Sequence, residues 1–217
     1  MKLNRKRLII VVLLVAAVLS IAALALVIIK DRTYFHSPSY SPDKSIETDI
    51  LVVYYSRSGN TEAMAREIAR KMKADIIKIE SESYGLDFKG WFDAANDARR
   101  KNETEIIPEV VDLTPYRLIF LGSPVWLFRP APPLWTFVDK NDFKNKNVIL
   151  FNTFNSRFKD EEIEEFQKRV ENKGGRFVDH VYIRRGRVYN QKSGMELILE
   201  AQSLLEAKVP EWLEIDK

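Results

Sequence analysis

Residues 8–29, LIIVVLLVAAVLSIAALALVII, run for 22 positions with one serine and no charge. A surface helix of a water-soluble fold needs a polar face, and this segment has none. As a helix it would extend roughly 33 Å at ~1.5 Å per residue, enough for a hydrocarbon core of about 30 Å. A secretory signal has a shorter apolar region, about 7–15 residues, and then a small-residue cleavage site. No clear site of that kind follows Ile29. The stretch therefore reads as an uncleaved single-pass anchor, with 1–30 as the membrane unit and the lipid bilayer as partner through residues 8–29. Lys2, Arg5, Lys6 and Arg7 precede it; Lys30, Arg32 and Lys44 follow. By a narrow margin this balance sets the N-terminus inside and the main domain on the extracytoplasmic side.

Residues 31–48, DRTYFHSPSYSPDKSIET, are rich in Ser and Pro and read as a linker too polar and broken to pack. The chain has 34 Lys/Arg and 31 Asp/Glu. Five of those bases and no acid lie in residues 1–30, so the remainder is close to neutral and offers no basic face for nucleic acid. Cysteine is absent, which excludes disulfides, thiolate metal sites and a cysteine nucleophile. His36 and His180 are the only histidines, one in the linker and one in a strand pattern, so no metal site is expected.

Residues 49–217 alternate strand and helix signals. DILVVYY (49–55), ADIIKIE (74–80), YRLIFLG (116–122), NVILFNT (147–153) and RFVDHVYI (176–183) predict five strands. Their continuous apolar runs suit strands covered on both faces. Helical spacing appears in 60–72, near 88–102, after Pro133 and in 160–172. A last helix opens at the capping box Ser193–Glu196 and stops before Pro210. This is an α/β pattern: a parallel sheet with helices on both faces, forming a three-layer αβα sandwich. Such sheets bind ligands at the carboxyl ends of their strands.

Three segments follow strands there. Ser56, Arg57, Ser58, Gly59, Asn60 and Thr61 lead into the first helix, where N–H groups, the macrodipole and hydroxyls suit a phosphate without a lysine. Ser123, Pro124, Val125 and Trp126 follow the third strand and suit a wall for a flat ring, stacked on Trp126. Asn152, Thr153, Phe154, Asn155 and Ser156 follow the fourth, with groups to read a heteroaromatic edge and Phe154 to cover it. A phosphate at one loop and a ring between two others is the shape of flavin mononucleotide.

On these three motifs, each after its own strand, residues 49–207 resemble the flavodoxin-like family. The resemblance implies a five-stranded sheet of order 2-1-3-4-5, non-covalent FMN and redox chemistry at the flavin. The phosphate would go to Ser56–Thr61 and the ring to the other two loops. No side chain need be an acid, base or nucleophile. The expected partner is a redox protein or a membrane quinone. Three functions stay open: an electron carrier, an NAD(P)H-dependent quinone or flavin reductase, and a non-redox scaffold without flavin.

Overall fold

The computed structural model describes residues 5–187 and 190–215. The chain divides into two units between Thr33 and Tyr34. The first contains helix α1, Arg5–Arg32. Its Arg5–Leu26 segment is long and apolar enough to cross a bilayer.

The second unit is built on a parallel sheet. Its elements run β1 (Ile50–Tyr55), α2 (Asn60–Met72), β2 (Asp75–Ile79), a 3-10 turn (Glu82–Tyr84), α3 (Phe88–Arg100) and β3 (Leu118–Trp126). Then come β4 (Arg129–Pro130), α4 (Pro132–Lys140), β5 (Asn147–Phe154), α5 (Asp160–Asn172), β6 (Arg176–Arg184) and α6 (Gly194–Leu213). All six residues of β1 are buried, as its unbroken apolar run requires. Val52 and Tyr54 join Phe120, Ile149 and Phe151 in a core shared with α2 and α6. Leu51, Val53 and Tyr55 join Ile119, Leu121 and Leu150 in a second core shared with α3, α4 and α5. Successive β-residues point to opposite faces, so one sheet fills both cores and three layers result.

Four sequence expectations need correction. The sheet has six strands rather than five: the path β2-β1-β3-β5-β6 joins the five read from the sequence, numbered 2-1-3-4-5 there, and β4 is added beside β3. The added strand is β4, where the chain doubles back after Trp126 and pairs antiparallel with β3. Next, β3 continues through Ser123–Trp126 and β5 through Phe154, so much of the two expected ring loops is strand. Then α6 continues through Pro210 to Leu213. That extra turn is held by Trp212, which is fully buried, meets the Phe120 ring at 5.2 Å and donates its indole N–H to Asp179 at 2.9 Å.

The last correction concerns the Ser/Pro-rich segment, which is packed from Tyr34 to Tyr40. Phe35 and Tyr40 lie against the α2/α6 core. Tyr40 donates to the Ala74 carbonyl, and Arg66 of α2 donates to the Ser37 carbonyl at 2.7 Å. Prolines and serines remove helix and strand options, but they leave an extended chain whose aromatic side chains and carbonyls still find partners.

Candidate functional site

The turn Ser56–Gly59 joins the carboxyl end of β1 to the start of α2. Gly59 is the N-cap at φ +83°, with no side-chain cap on the helix. Asp87 and Ser193 cap α3 and α6, while α4 and α5, like α2, start without a side-chain cap. The first-turn N–H groups of α2 thus lack the side-chain acceptor that a capped helix start recruits. Ser56 accepts the Gly59 N–H at 3.1 Å, which shapes the turn. Asn60 is 7% exposed; its Nδ2 donates to Ser58 Oγ, while its Oδ1 has no partner. Exchanging the amide N and O would keep the Ser58 bond and leave a free N–H instead. Either way the turn holds a buried, incompletely satisfied amide, a group that ordinarily finds a partner.

Arg57 is committed elsewhere: Nε and Nη2 both donate to the Gly85 carbonyl, at 3.2 and 3.0 Å. It fastens this turn to the segment after β2. Thr61, 1% exposed, meets Thr153 through their hydroxyls at 2.8 Å, which joins the first and third motifs.

The second and third motifs are tied by a buried polar chain. Asn152 Nδ2 donates to the Ser123 carbonyl at 2.8 Å, and Ser123 Oγ accepts the Ala131 N–H at 3.1 Å. Asn152 Oδ1 lies 2.9 Å from His180 Nε2. Because the amide N is engaged with a carbonyl, the oxygen accepts and His180 Nε2 carries the proton. Burial depresses His180 to a pKa of about 4, so the ring is neutral near pH 7. Asn152 and Ser123 are therefore fully buried struts that bond each other. Phe154 packs at 5.5 Å from Phe158 and 5.4 Å from Tyr182. Asn155 and Ser156 are half-buried beyond the strand end.

Trp126 is half-buried and stands edge-on to Tyr55 at 5.7 Å and Tyr84 at 5.1 Å. Pro124 and Val125 are half-buried beside it in β3. Burial raises the Tyr55 and Tyr84 phenols, so both stay protonated. Two of these aromatic partners escaped the sequence reading. Tyr55 closes an apolar run and looked like strand core; Tyr84 sits in a polar connection without periodicity. A cavity of about 850 Å³ opens on the β2 side of the first turn. Tyr55, Ser56, Arg57, Glu80, Tyr84 and Ile106 are among the residues lining it.

The flavodoxin family model matches residues 49–192. A flavoprotein from Lactobacillus acidophilus, solved in complex with FMN, is 26% identical with a TM-score of 0.53. The match covers 62% of this chain and 92% of that one. Structures named as flavoproteins from Bacteroides uniformis and Bacteroides eggerthii are 20% and 19% identical, with TM-scores of 0.59 and 0.53. Each match covers 73% of this chain, with 97% and 96% of the respective neighbour, and at that identity they show the fold alone. No curated protein matches the chain. A parallel sheet with an uncapped turn after β1, matched by the family over both of its other loop motifs, leads to one assignment: the chain belongs to the flavodoxin family.

Proposed function

We propose that this chain is a membrane-anchored, FMN-binding electron-transfer protein. The observation that carries the reading is the β1–α2 turn. It combines a left-handed Gly59, a helix start without a side-chain cap and a buried amide with an unmet atom. A phosphate dianion suits the helix-start N–H groups and the macrodipole, and with the Asn60 amide turned over it also accepts the N–H then left free. The Lactobacillus acidophilus flavoprotein, solved with FMN, supports the same ligand.

In this reading Ser58, Gly59, Asn60 and Thr61 hold the phosphate through backbone and side-chain donors, with Ser56 and Arg57 fixing the turn. The ring lies beside Trp126, between Ser123–Trp126 and Asn152–Ser156. Ser123 and Asn152 act as struts that keep these strand ends in register. FMN, when bound, supplies the redox chemistry. The protein binds it, orients it and shields one side from water. The apolar helix α1 anchors the domain to a bilayer, as its length and composition permit.

Full-length protein in detergent is expected to bind FMN, read as quenching of flavin fluorescence during titration. A Ser58→Ala/Thr61→Val double variant is expected to bind on the order of tenfold or more weakly, because hydrogen bonds to a charged group are worth about 1.5–3 kcal/mol each. A wild-type protein that ignores FMN would leave the scaffold reading. The cavity beside the first turn favours a second reading, an NAD(P)H-dependent quinone or flavin reductase with room for a small acceptor. Steady oxidation of NAD(P)H with a quinone in reconstituted vesicles selects the reductase; none, with FMN bound, selects the carrier.

A further inference from the structure

The family match starts at residue 49, yet the second unit starts at Tyr34. The segment between lies outside the family match, and its first residues lie on the β1–α2 turn. The Phe35 N–H donates to the Ser58 carbonyl at 2.9 Å. A Cβ built on Gly59 would overlap the Phe35 carbonyl, and one built on Gly194 would overlap the Phe35 ring. Phe35 thus fills the space left by two glycines, at the starts of α2 and α6.

Its neighbours act on the same helix start. Glu62 is 5% exposed, in the first turn of α2. Its negative charge opposes an anion bound at the same helix start. The Tyr34 hydroxyl donates to Glu62, and Arg66 pairs with it. Burial first, then Glu62, raises the Tyr34 phenol, which keeps it a donor. Arg66 is in turn held by the Ser37 carbonyl and hydroxyl at 2.7 and 3.1 Å. Farther along α2, Arg70 donates to the Ser39 carbonyl at 3.2 Å.

We propose that Tyr34–Tyr40 is a clasp that completes the phosphate cradle. Phe35 positions the Ser58–Gly59 peptide, while Tyr34, with Arg66, occupies the Glu62 carboxylate. The proposal rests on the reading that the β1–α2 turn holds the FMN phosphate. A clasp of this kind acts on the phosphate end of the ligand and not on its ring.

The test uses full-length protein in detergent, titrated with FMN and, separately, with riboflavin, which lacks the phosphate. Phe35→Ala is expected to weaken FMN on the order of tenfold while riboflavin changes by less than about threefold. Phe35→Leu restores most of the difference. Tyr34→Phe, which leaves Phe35 in place, gives a smaller loss confined to FMN, and it decides the matter should Phe35→Ala not fold. Equal losses for both ligands, or no loss in either variant, overturn the clasp. Amide hydrogen exchange at residues 58–61, without flavin, separates this outcome from a failure of the FMN reading. If wild type binds no FMN, the ligand assignment falls. Faster exchange in Phe35→Ala then keeps the clasp as the clamp of this turn, and unchanged exchange removes it.

Discussion

At the scale of single residues, two side-chain positions set the site's stability and its pH range. Gly59 sits at φ +83°, where an L-residue costs about 1–2 kcal/mol, and its missing Cβ makes room for the Phe35 carbonyl. Gly59→Ala is therefore expected to lower stability by about 2 kcal/mol in urea unfolding and to weaken FMN as the turn shifts. His180 acts through protons. Burial holds its folded pKa near 4, against about 6.5 unfolded; the carboxylates of Asp179 and Asp160 pull weakly the other way. The unfolded chain thus binds this proton first as pH falls. The contribution is complete above about pH 6.5 and disappears towards pH 4, at most about 3 kcal/mol in size. Urea midpoints measured at pH 7 and pH 4.5 are expected to differ less in His180→Gln than in wild type. An equal difference in both would remove His180 as the cause.

At the scale of elements, strands and helices were readable wherever apolar periodicity was strong. The residues 60–72 and 160–172 read as helices are α2 and α5. The end of β3 was misread because Ser123-Pro124 are turn formers by composition. Ser123 stays in the sheet because it and Asn152 bond each other across β3 and β5. Sequence has no signal for such mutual satisfaction between residues far apart in the chain. The first motif was readable as the turn before α2 because it is local, six consecutive residues at one helix start. Its clasp was not, since nothing in DRTYFHSPSYSP tells which carbonyl it will meet.

The β3–β4 hairpin shows the same limit. Leu127 and Phe128 both adopt positive φ, 45° and 78°, in a two-residue turn that ordinarily recruits Asn and Gly. Phe128 is retained by Arg157 and Lys159, whose cations lie 5.3 and 5.4 Å from its ring. Leu127 is 48% exposed. Leu127→Gly should therefore relieve strain without losing core and stabilise the domain by about 1 kcal/mol. A drop in urea midpoint would show that the tip is supported by contacts of Leu127 itself.

At the scale of the whole molecule, two boundaries compete. The family begins at residue 49, whereas the second unit begins at Tyr34. A chain starting at Tyr34 loses α1, and with it the segment able to cross a bilayer. It keeps the Phe35–Ser58, Tyr34–Glu62, Arg66–Ser37 and Tyr40–Ala74 bonds. A chain starting at Asp49 loses all four and uncovers Gly59 and Gly194. At a net value near 0.5–1.5 kcal/mol per bond, the loss comes to about 2 kcal/mol or more. That lowers Tm by about 5 °C for a domain of this size. The expected ranking is therefore full-length protein retained in carbonate-washed membranes, 34–217 released with the full-length Tm and FMN affinity, and 49–217 released but less stable and weaker for FMN. Identical Tm and FMN affinity for the two truncated chains would place the true domain edge at 49 and reduce residues 34–48 to a tether.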